Sequence, residues 1–288
     1  MSSTTRANRV RFVRAPLGWP VRGALRLCVY LIFTLSMIPI QVVLVKLGHS
    51  AAATFPIWYH RRVLWMIGIR LDVKGNRSEH RPTLFVVNHC SYLDIEILGA
   101  LVSASFIAKS EVASWPLFGW LAKLQRTVFV DRKRQTTHRQ RDDIAQRLAH
   151  GDSLILFPEG TSGPGNGILP FRSALLSVAE TGGQDPALWI QPVSLSYVEI
   201  DGIPMGRSLR PLLAWYGDMQ MANHLWRVAC LGRIGVCVEF HAPVQMSSFA
   251  SRKQLTHYCA QQVAEGMARA FGHSTTPAKP DRMALPSA

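Results

Sequence analysis

A chain of 288 residues has room for one large α/β domain, or for one domain with an appended segment. Hydrophobic residues make up 48% of it, which excludes a largely disordered protein. The net charge of +14 at pH 7 calls for an anionic partner, whether nucleic acid, an anionic membrane surface or an acidic carrier protein. The cysteines Cys28, Cys90, Cys230, Cys237 and Cys259 are odd in number and form no C-x-x-C pair. A disulfide framework or a structural zinc site is therefore not expected, and a reducing cytosolic compartment fits.

The first element is Leu27 to Val45, LCVYLIFTLSMIPIQVVLV, 19 residues without a charge between Arg26 and Lys46. A helix needs ~20 apolar residues to cross the hydrocarbon core, so this run just qualifies, and Pro39 and Gln41 interrupt a straight span. Arg6, Arg9, Arg11, Arg14, Arg22 and Arg26 lie on its N-terminal side and would stay cytoplasmic. The run exceeds a signal-peptide apolar region, and no small-residue cleavage site follows it. Next, Phe55 to Arg70 mixes Trp58, Tyr59 and Trp65 with Arg61, Arg62 and Arg70, a pairing that suits a membrane interface. The alternative is a buried helix whose tryptophans are core. Residues 1–70 are read as a basic tail and membrane-anchoring helices, spanning or re-entrant.

Residues 71–271 alternate short apolar runs with helical patterns. Strands are predicted at Thr83–Val87, Ser105–Ala108, Thr127–Val130, Ser153–Phe157, Leu188–Leu195, Leu212–Tyr216 and Gly235–Phe240. Helices are predicted at Tyr92–Leu101, Pro116–Leu124, His138–His150, Phe171–Thr181 and Ser251–Phe271. This alternation predicts an α/β fold with a mixed, largely parallel sheet flanked by helices. Residues 272–288 hold three prolines and few apolar side chains and are expected to be disordered.

In open α/β sheets, sites gather at the carboxyl ends of strands, and several chemistry-bearing residues fall there. The first apolar strand stops on Asn88-His89, and Asp94 follows five places later. A histidine acting as a base needs its other ring nitrogen held, and Asp94 is a candidate for that. Five residues of continuous helix rotate by about 500°, which would point the two side chains ~140° apart. The pair can meet only if His89 lies in the turn before the helix that carries Asp94. Lys109 and Glu111 follow the second strand, and Val130-Asp131-Arg132-Lys133-Arg134 ends the third. Phe157-Pro158-Glu159-Gly160-Thr161 ends the fourth, where Pro158 closes the strand and Gly160 permits a tight turn. Each of these has an unremarkable reading as a solvated side chain, but their succession at strand ends favours a site.

Taken together, these blocks resemble the PlsC-like glycerophospholipid acyltransferase family over roughly residues 70–245. His89-Cys90-Ser91-Tyr92-Leu93-Asp94 matches its N-H-x4-D block together with Asn88, Val130-Asp131-Arg132 its arginine block, Phe157 to Thr161 its F-P-E-G-T block and Ile190 to Leu195 its last apolar-proline block. The resemblance implies a lysolipid O-acyltransferase in which His89 takes the proton of the acceptor hydroxyl and Asp94 holds the imidazole. Arg132 and Lys109 would bind an anionic group, and Glu159, Gly160 and Thr161 would position the acceptor. The donor would be an acyl thioester on acyl carrier protein or coenzyme A, a co-substrate, so no cofactor is expected. The expected setting is the cytoplasmic face of a bacterial inner membrane, whose anionic surface the basic tail would meet. An apolar tunnel for the acyl chain is expected as well.

One departure bears on the acceptor. The family's phosphate-acceptor enzymes usually continue F-P-E-G-T with Arg-Ser, whereas here Ser162-Gly163 follow. A guanidinium able to grip phosphate bidentately is missing at that place, although Arg172 or Arg132 could serve. The subsequent GPGNGILPFRSAL is similar to a subgroup that acylates lyso-ornithine lipid, which narrowly favours that acceptor over 1-acylglycerol-3-phosphate. Other classes fit less well. No G-x-S-x-G elbow surrounds a serine, no Gly-Lys-Ser/Thr completes a P-loop, and condensation-type acyltransferases space His and Asp four apart. Cys90 as nucleophile and a basic membrane-bound scaffold are the remaining rivals. Nucleic-acid binding is not expected.

Overall fold

The structure is a computed structural model in which residues 18–130, 137–181 and 188–272 are described. It begins with two helices, α1 (Pro20–Lys46) and α2 (Phe55–Ile67). Pro20 opens α1, where its missing N–H goes unneeded, and the helix continues through Pro39 to Lys46. By length and composition α1 is apolar enough to cross a membrane. Its burial is inverted with respect to a soluble helix. Gly23, Thr34 and Gln41 are its buried residues, whereas Val21, Leu25, Ile32, Leu35 and Val43 are more than half exposed. α2 stops at Gly68, whose φ of 81° is the left-handed cap that lets the chain reverse directly into β1 (Ile69–Lys74).

The remaining elements, in chain order, are β2 (Thr83–Val87), α3 (Leu93–Leu101), β3 (Ser105–Lys109), α4 (Phe118–Leu124), β4 (Val128–Val130) and α5 (Thr137–Ala149). They are followed by β5 (Leu154–Leu156), α6 (Ser177–Thr181), β6 (Trp189–Ile200), β7 (Ile203–Pro204), α7 (Met221–Cys230), β8 (Ile234–Phe240) and α8 (Arg252–Ala270). The strands join in the order β1-β8-β6-β2-β5-β3-β4, with β7 paired to β6. Neighbours are parallel except β6 with β8 and β6 with β7, so the sheet is mixed and largely parallel, as the alternation predicts.

β2 lies between β6 and β5 and is buried over its whole length. Because side chains alternate along a strand, Leu84 and Val86 face one core with Leu156, Ile190 and Leu255, and Phe85 and Val87 face another with Ile97, Val193 and Val238. Helices therefore cover both faces, with α3 on the second and α8 on the first. This geometry gathers the ends of β2, β5, β3 and β4 along one edge of the sheet.

Two elements depart from expectation. Leu212 to Tyr216 is not a strand; a 3-10 turn spans Arg210–Leu212 and the chain then runs as coil with Leu213 and Ala214 buried. An apolar run of that length suits any buried segment, and here it covers the mouth of the loop after β2, where Trp215 N donates to Cys90 O at 2.8 Å. Within Phe171–Thr181 the helix is limited to α6, because residues 173–176 form successive turns before it. β1 and α7 were not anticipated. Arg26, one of the cations expected on the cytoplasmic side, turns inward and donates to the carbonyls of Ala229, Leu231 and Gly232 at the end of α7, at 2.7–3.3 Å. The arginines up to Arg14 and the tail beyond Gly272 lie outside the described residues.

Candidate active site

The loop after β2 is fixed before any chemistry is considered. Asn88 extends the strand pairing with its side chain: Nδ2 donates to Leu195 O at 2.9 Å, and Leu195 N donates back to Oδ1 at 2.8 Å. His89 follows in a turn, and α3 starts at Leu93, so Asp94 sits in the first helical turn. The five-residue spacing thereby becomes a contact, with His89 Nδ1 at 2.8 Å from Asp94 Oδ2.

Asp94 is fully buried, and its charge is met on every side. Oδ2 also accepts from Cys90 N at 2.8 Å and Ser91 N at 3.0 Å, while the hydroxyl of Tyr197 donates to Oδ1 at 2.7 Å. The start of α3 adds its partial positive charge. A carboxylate held by two backbone N–H groups and a phenol is an acceptor, so the proton of the His89 pair resides on Nδ1 and Nε2 is left basic. Among the described residues Nε2 makes no hydrogen bond, and the His89 side chain is 21% exposed. Phe157 stacks on the ring at a centroid distance of 4.2 Å, fixing its plane.

Glu159 arrives from the end of β5 on a turn whose Gly160 has a φ of 69°. Its Oε1 accepts from the backbone N–H of His89 at 3.2 Å, tying the two strand ends together. Burial pushes its carboxyl up to about 8, with Asp94 adding to the rise and the N–H groups of His89 and Leu169 opposing it. Near neutrality it is thus largely protonated. A raised folded value means that the neutral form is favoured by folding. The associated stabilisation is complete below about pH 4.5, the ordinary value, and is lost as pH climbs towards 8. Glu159→Gln keeps an acceptor for His89 N–H and cannot ionise. Its melting temperature should vary less than the parent's between pH 5 and 8. Above pH 8 it should be the more stable protein by a few kcal/mol, since each tenfold difference in proton affinity between the folded and unfolded chain is worth ~1.4 kcal/mol. Parallel slopes in a pH series of thermal melts would contradict this account.

The other expected residues take their places along the same edge. Gly160 and exposed Thr161 continue the Glu159 turn, and Lys109 closes β3 opposite Val130 of β4. Arg132 lies outside the described residues. Cys90 is buried with its thiol pushed well above the usual range, first by burial and then by Asp94 and Glu159, which disfavours the thiolate that a nucleophile needs. Ser162, which follows Thr161 directly, directs its hydroxyl at Trp215 O.

One feature escaped the sequence reading, and a second, an apolar cavity, was expected but not located by it. Tyr197, in a strand that reads simply as core, is the partner of Asp94. Tyr197→Phe leaves Oδ1 of a buried carboxylate without its main donor, which should cost ~1–3 kcal/mol of stability. With fewer donors the carboxylate binds the protonated ring more strongly, so the acid limb of the rate profile should move to higher pH while turnover falls. The second feature is a cavity of about 180 Å³. Its wall is mostly apolar and comes from α1, α2, α3, α4 and β3; Met37, Ile38, Tyr92, Phe106, Phe118 and Leu121 contribute to it. Phe106 also stacks on Phe157, and Phe157 on His89, so two rings link the cavity wall to the histidine.

A carboxylate-held histidine at the carboxyl end of a parallel strand can serve as a base, and an apolar cavity can hold an apolar substituent. An acyltransferase family model matches residues 69–196. The chain is 42% identical over 237 residues to lyso-ornithine lipid O-acyltransferase of Brucella abortus (strain 2308), covering 80% of this chain and 88% of the relative. It is 37% identical over 268 residues to the enzyme of that name from Rhizobium meliloti (strain 1021), covering 91% of each. A 1-acyl-sn-glycerol-3-phosphate acyltransferase from Neisseria meningitidis serogroup B is 32% identical over 182 residues, 62% of this chain and 68% of the relative. In fold, the chain is similar to the crystal structure of PlsC, the 1-acyl-sn-glycerophosphate acyltransferase of Thermotoga maritima. The TM-score is 0.62 at 20% identity, over 87% of this chain and 94% of the other. The chain belongs to the acyltransferase family and is an acyltransferase.

Proposed function

We propose that the chain is a membrane-associated lysolipid O-acyltransferase that moves an acyl group from a thioester of acyl carrier protein or coenzyme A to the free hydroxyl of lyso-ornithine lipid. The observation that carries the chemistry is the fully hydrogen-bonded Asp94 holding Nδ1 of His89, with Nε2 open to a substrate. Nε2 takes the proton of the acceptor hydroxyl as its oxygen attacks the thioester carbonyl. The carbon–sulfur bond then breaks, and the departing thiolate is protonated by the imidazolium. Asp94 stabilises that imidazolium, and no acyl-enzyme forms. The apolar cavity takes the donor's acyl chain, with the Phe106 and Phe157 rings between it and His89. Thr161 and Gly160 border the acceptor's approach, with Lys109 supplying a cation on the same sheet edge and Arg132, two residues after Val130 in the sequence, a second.

The acceptor follows from Ser162 and from the relatives. At the place where a phosphate-gripping arginine would stand, a serine is engaged with Trp215 O, and the two most extensively matched relatives above are lyso-ornithine lipid enzymes. Membrane association rests on α1, whose Thr34 and Gln41 turn inward while Val21, Leu25, Ile32, Leu35 and Val43 turn outward. That inversion is what a hydrocarbon surrounding requires and water penalises. Trp58 and Trp65 of α2 are exposed as well, with Arg62 placed 5.6 Å over the Trp58 ring. Residues 1–70 then act as the anchor, and the basic N-terminal tail places the site at the cytoplasmic face.

Membranes containing the protein, given radiolabelled acyl carrier protein thioester with either lyso-ornithine lipid or 1-acylglycerol-3-phosphate, should transfer label to the former. Transfer to the phosphate acceptor alone would replace the proposed substrate. Transfer to neither, with coenzyme A thioesters also tried, would put the scaffold reading in its place.

A further inference from the structure

We infer that the cavity selects an acyl chain carrying a hydroxyl, with Gln41 Oε1 as the acceptor that reads it. The inference rests on the proposal that the cavity holds the donor's acyl chain. Gln41 lies on α1 two turns after Thr34, lines the cavity and is 5% exposed. Its Nε2 donates to Ala52 O at 3.0 Å and to Leu124 O at 3.1 Å. Both amide hydrogens are thereby used, and this fixes the orientation of the group: exchanging nitrogen and oxygen would set an oxygen against two carbonyls. Oε1 is therefore the acceptor, and among the described residues this buried oxygen has no donor.

Of the other polar side chains of the cavity wall, Tyr92 is engaged with His224 at 3.0 Å and five more with one another. Thr34 Oγ1 and the Tyr59 hydroxyl are 2.8 Å apart; His60 meets Glu96 at 2.6 Å and Gln125 at 3.1 Å. On α1, Met37 and Ile38 precede Gln41 by one turn and line the same cavity, and neither can donate. A wall built for a plain hydrocarbon chain would place leucine or methionine here, since an unmatched buried carbonyl is costly. The missing complement is a neutral donor. A ketone, ether or double bond on the chain offers none, and an ammonium would have to be buried as a charge. A hydroxyl meets the requirement.

The experiment uses the full chain in membranes and acyl carrier protein thioesters of one chain length, unsubstituted or hydroxylated at successive positions, competing for one lysolipid. Products are resolved by mass spectrometry. One hydroxyl position should be preferred over the unsubstituted chain by about tenfold or more. That preference should vanish in Gln41→Leu. A flat series in the parent protein overturns the inference without any variant, so a folding failure of Gln41→Leu cannot protect it. A preference that survives in folded Gln41→Leu also overturns it. Ala122→Trp, which narrows the cavity from α4, separates the two levels: it should shift preference to shorter chains. A shift together with a flat hydroxyl series removes Gln41 and keeps the cavity as the acyl site; no shift removes both.

Discussion

His89→Ala should lower acyl transfer by ~10²–10⁴-fold at equal protein abundance, with the fold retained. The size follows from the role: without Nε2, the acceptor hydroxyl must lose its proton to water while attacking the thioester. Retention of the fold follows from the network around the missing ring. Asp94 keeps the N–H groups of Cys90 and Ser91 on Oδ2 and the phenol of Tyr197 on Oδ1, so the buried carboxylate is not orphaned. The backbone N–H of His89 still reaches Glu159 Oε1, and its carbonyl still accepts from Gly163 N at 2.9 Å. The assay is initial-rate thiol release with saturating lysolipid, accompanied by a thermal melt. Equal transfer by variant and parent would remove His89 from the mechanism. A collapsed melt would show that the stacking on Phe157 is structurally more important than these contacts indicate.

Asp94→Asn should cost ~10²–10³-fold in turnover, somewhat less than loss of the histidine itself. Three donors converge on Oδ2, from His89, Cys90 and Ser91, whereas Oδ1 faces a phenol that can rotate and accept instead. The asparagine oxygen therefore takes the Oδ2 position and its amide the Oδ1 position. The ring stays oriented with its proton on Nδ1, and only the negative charge is lost. A charge-assisted hydrogen bond becomes a neutral one of about half the strength, and the imidazolium formed during transfer is no longer compensated. The acid limb of the rate profile should accordingly move to lower pH, opposite in direction to Tyr197→Phe. Shifts of both variants in the same direction would mean that Asp94 does not act on His89 through its charge.

The pairing of His89 with Asp94 and the approach of Glu159 were legible in the sequence because both are local. A strand end, a turn and a helix start bring two residues five apart into contact, and Pro158 with Gly160 turns the chain at the next strand. Parallel strands share one carboxyl edge, which is why successive motifs converge without any knowledge of the strand order. The inverted burial of α1 was only half visible: the uncharged run could be read, but not the inward aim of Thr34 and Gln41.

What the sequence by itself determined, then, is the α/β alternation, the family and the local pair at the end of β2. Tertiary structure alone decided that Tyr197, 103 residues away, holds the second carboxylate oxygen. It also turned Arg26 to α7, laid Leu212–Tyr216 as coil over the loop after β2, and enclosed a cavity between α1, α2 and α4. The reason is the range of the interactions. Backbone dihedrals and residue spacing govern contacts within a turn or two, whereas a hydrogen bond or cavity wall assembled from distant elements depends on how those elements pack, and no short-range pattern encodes that.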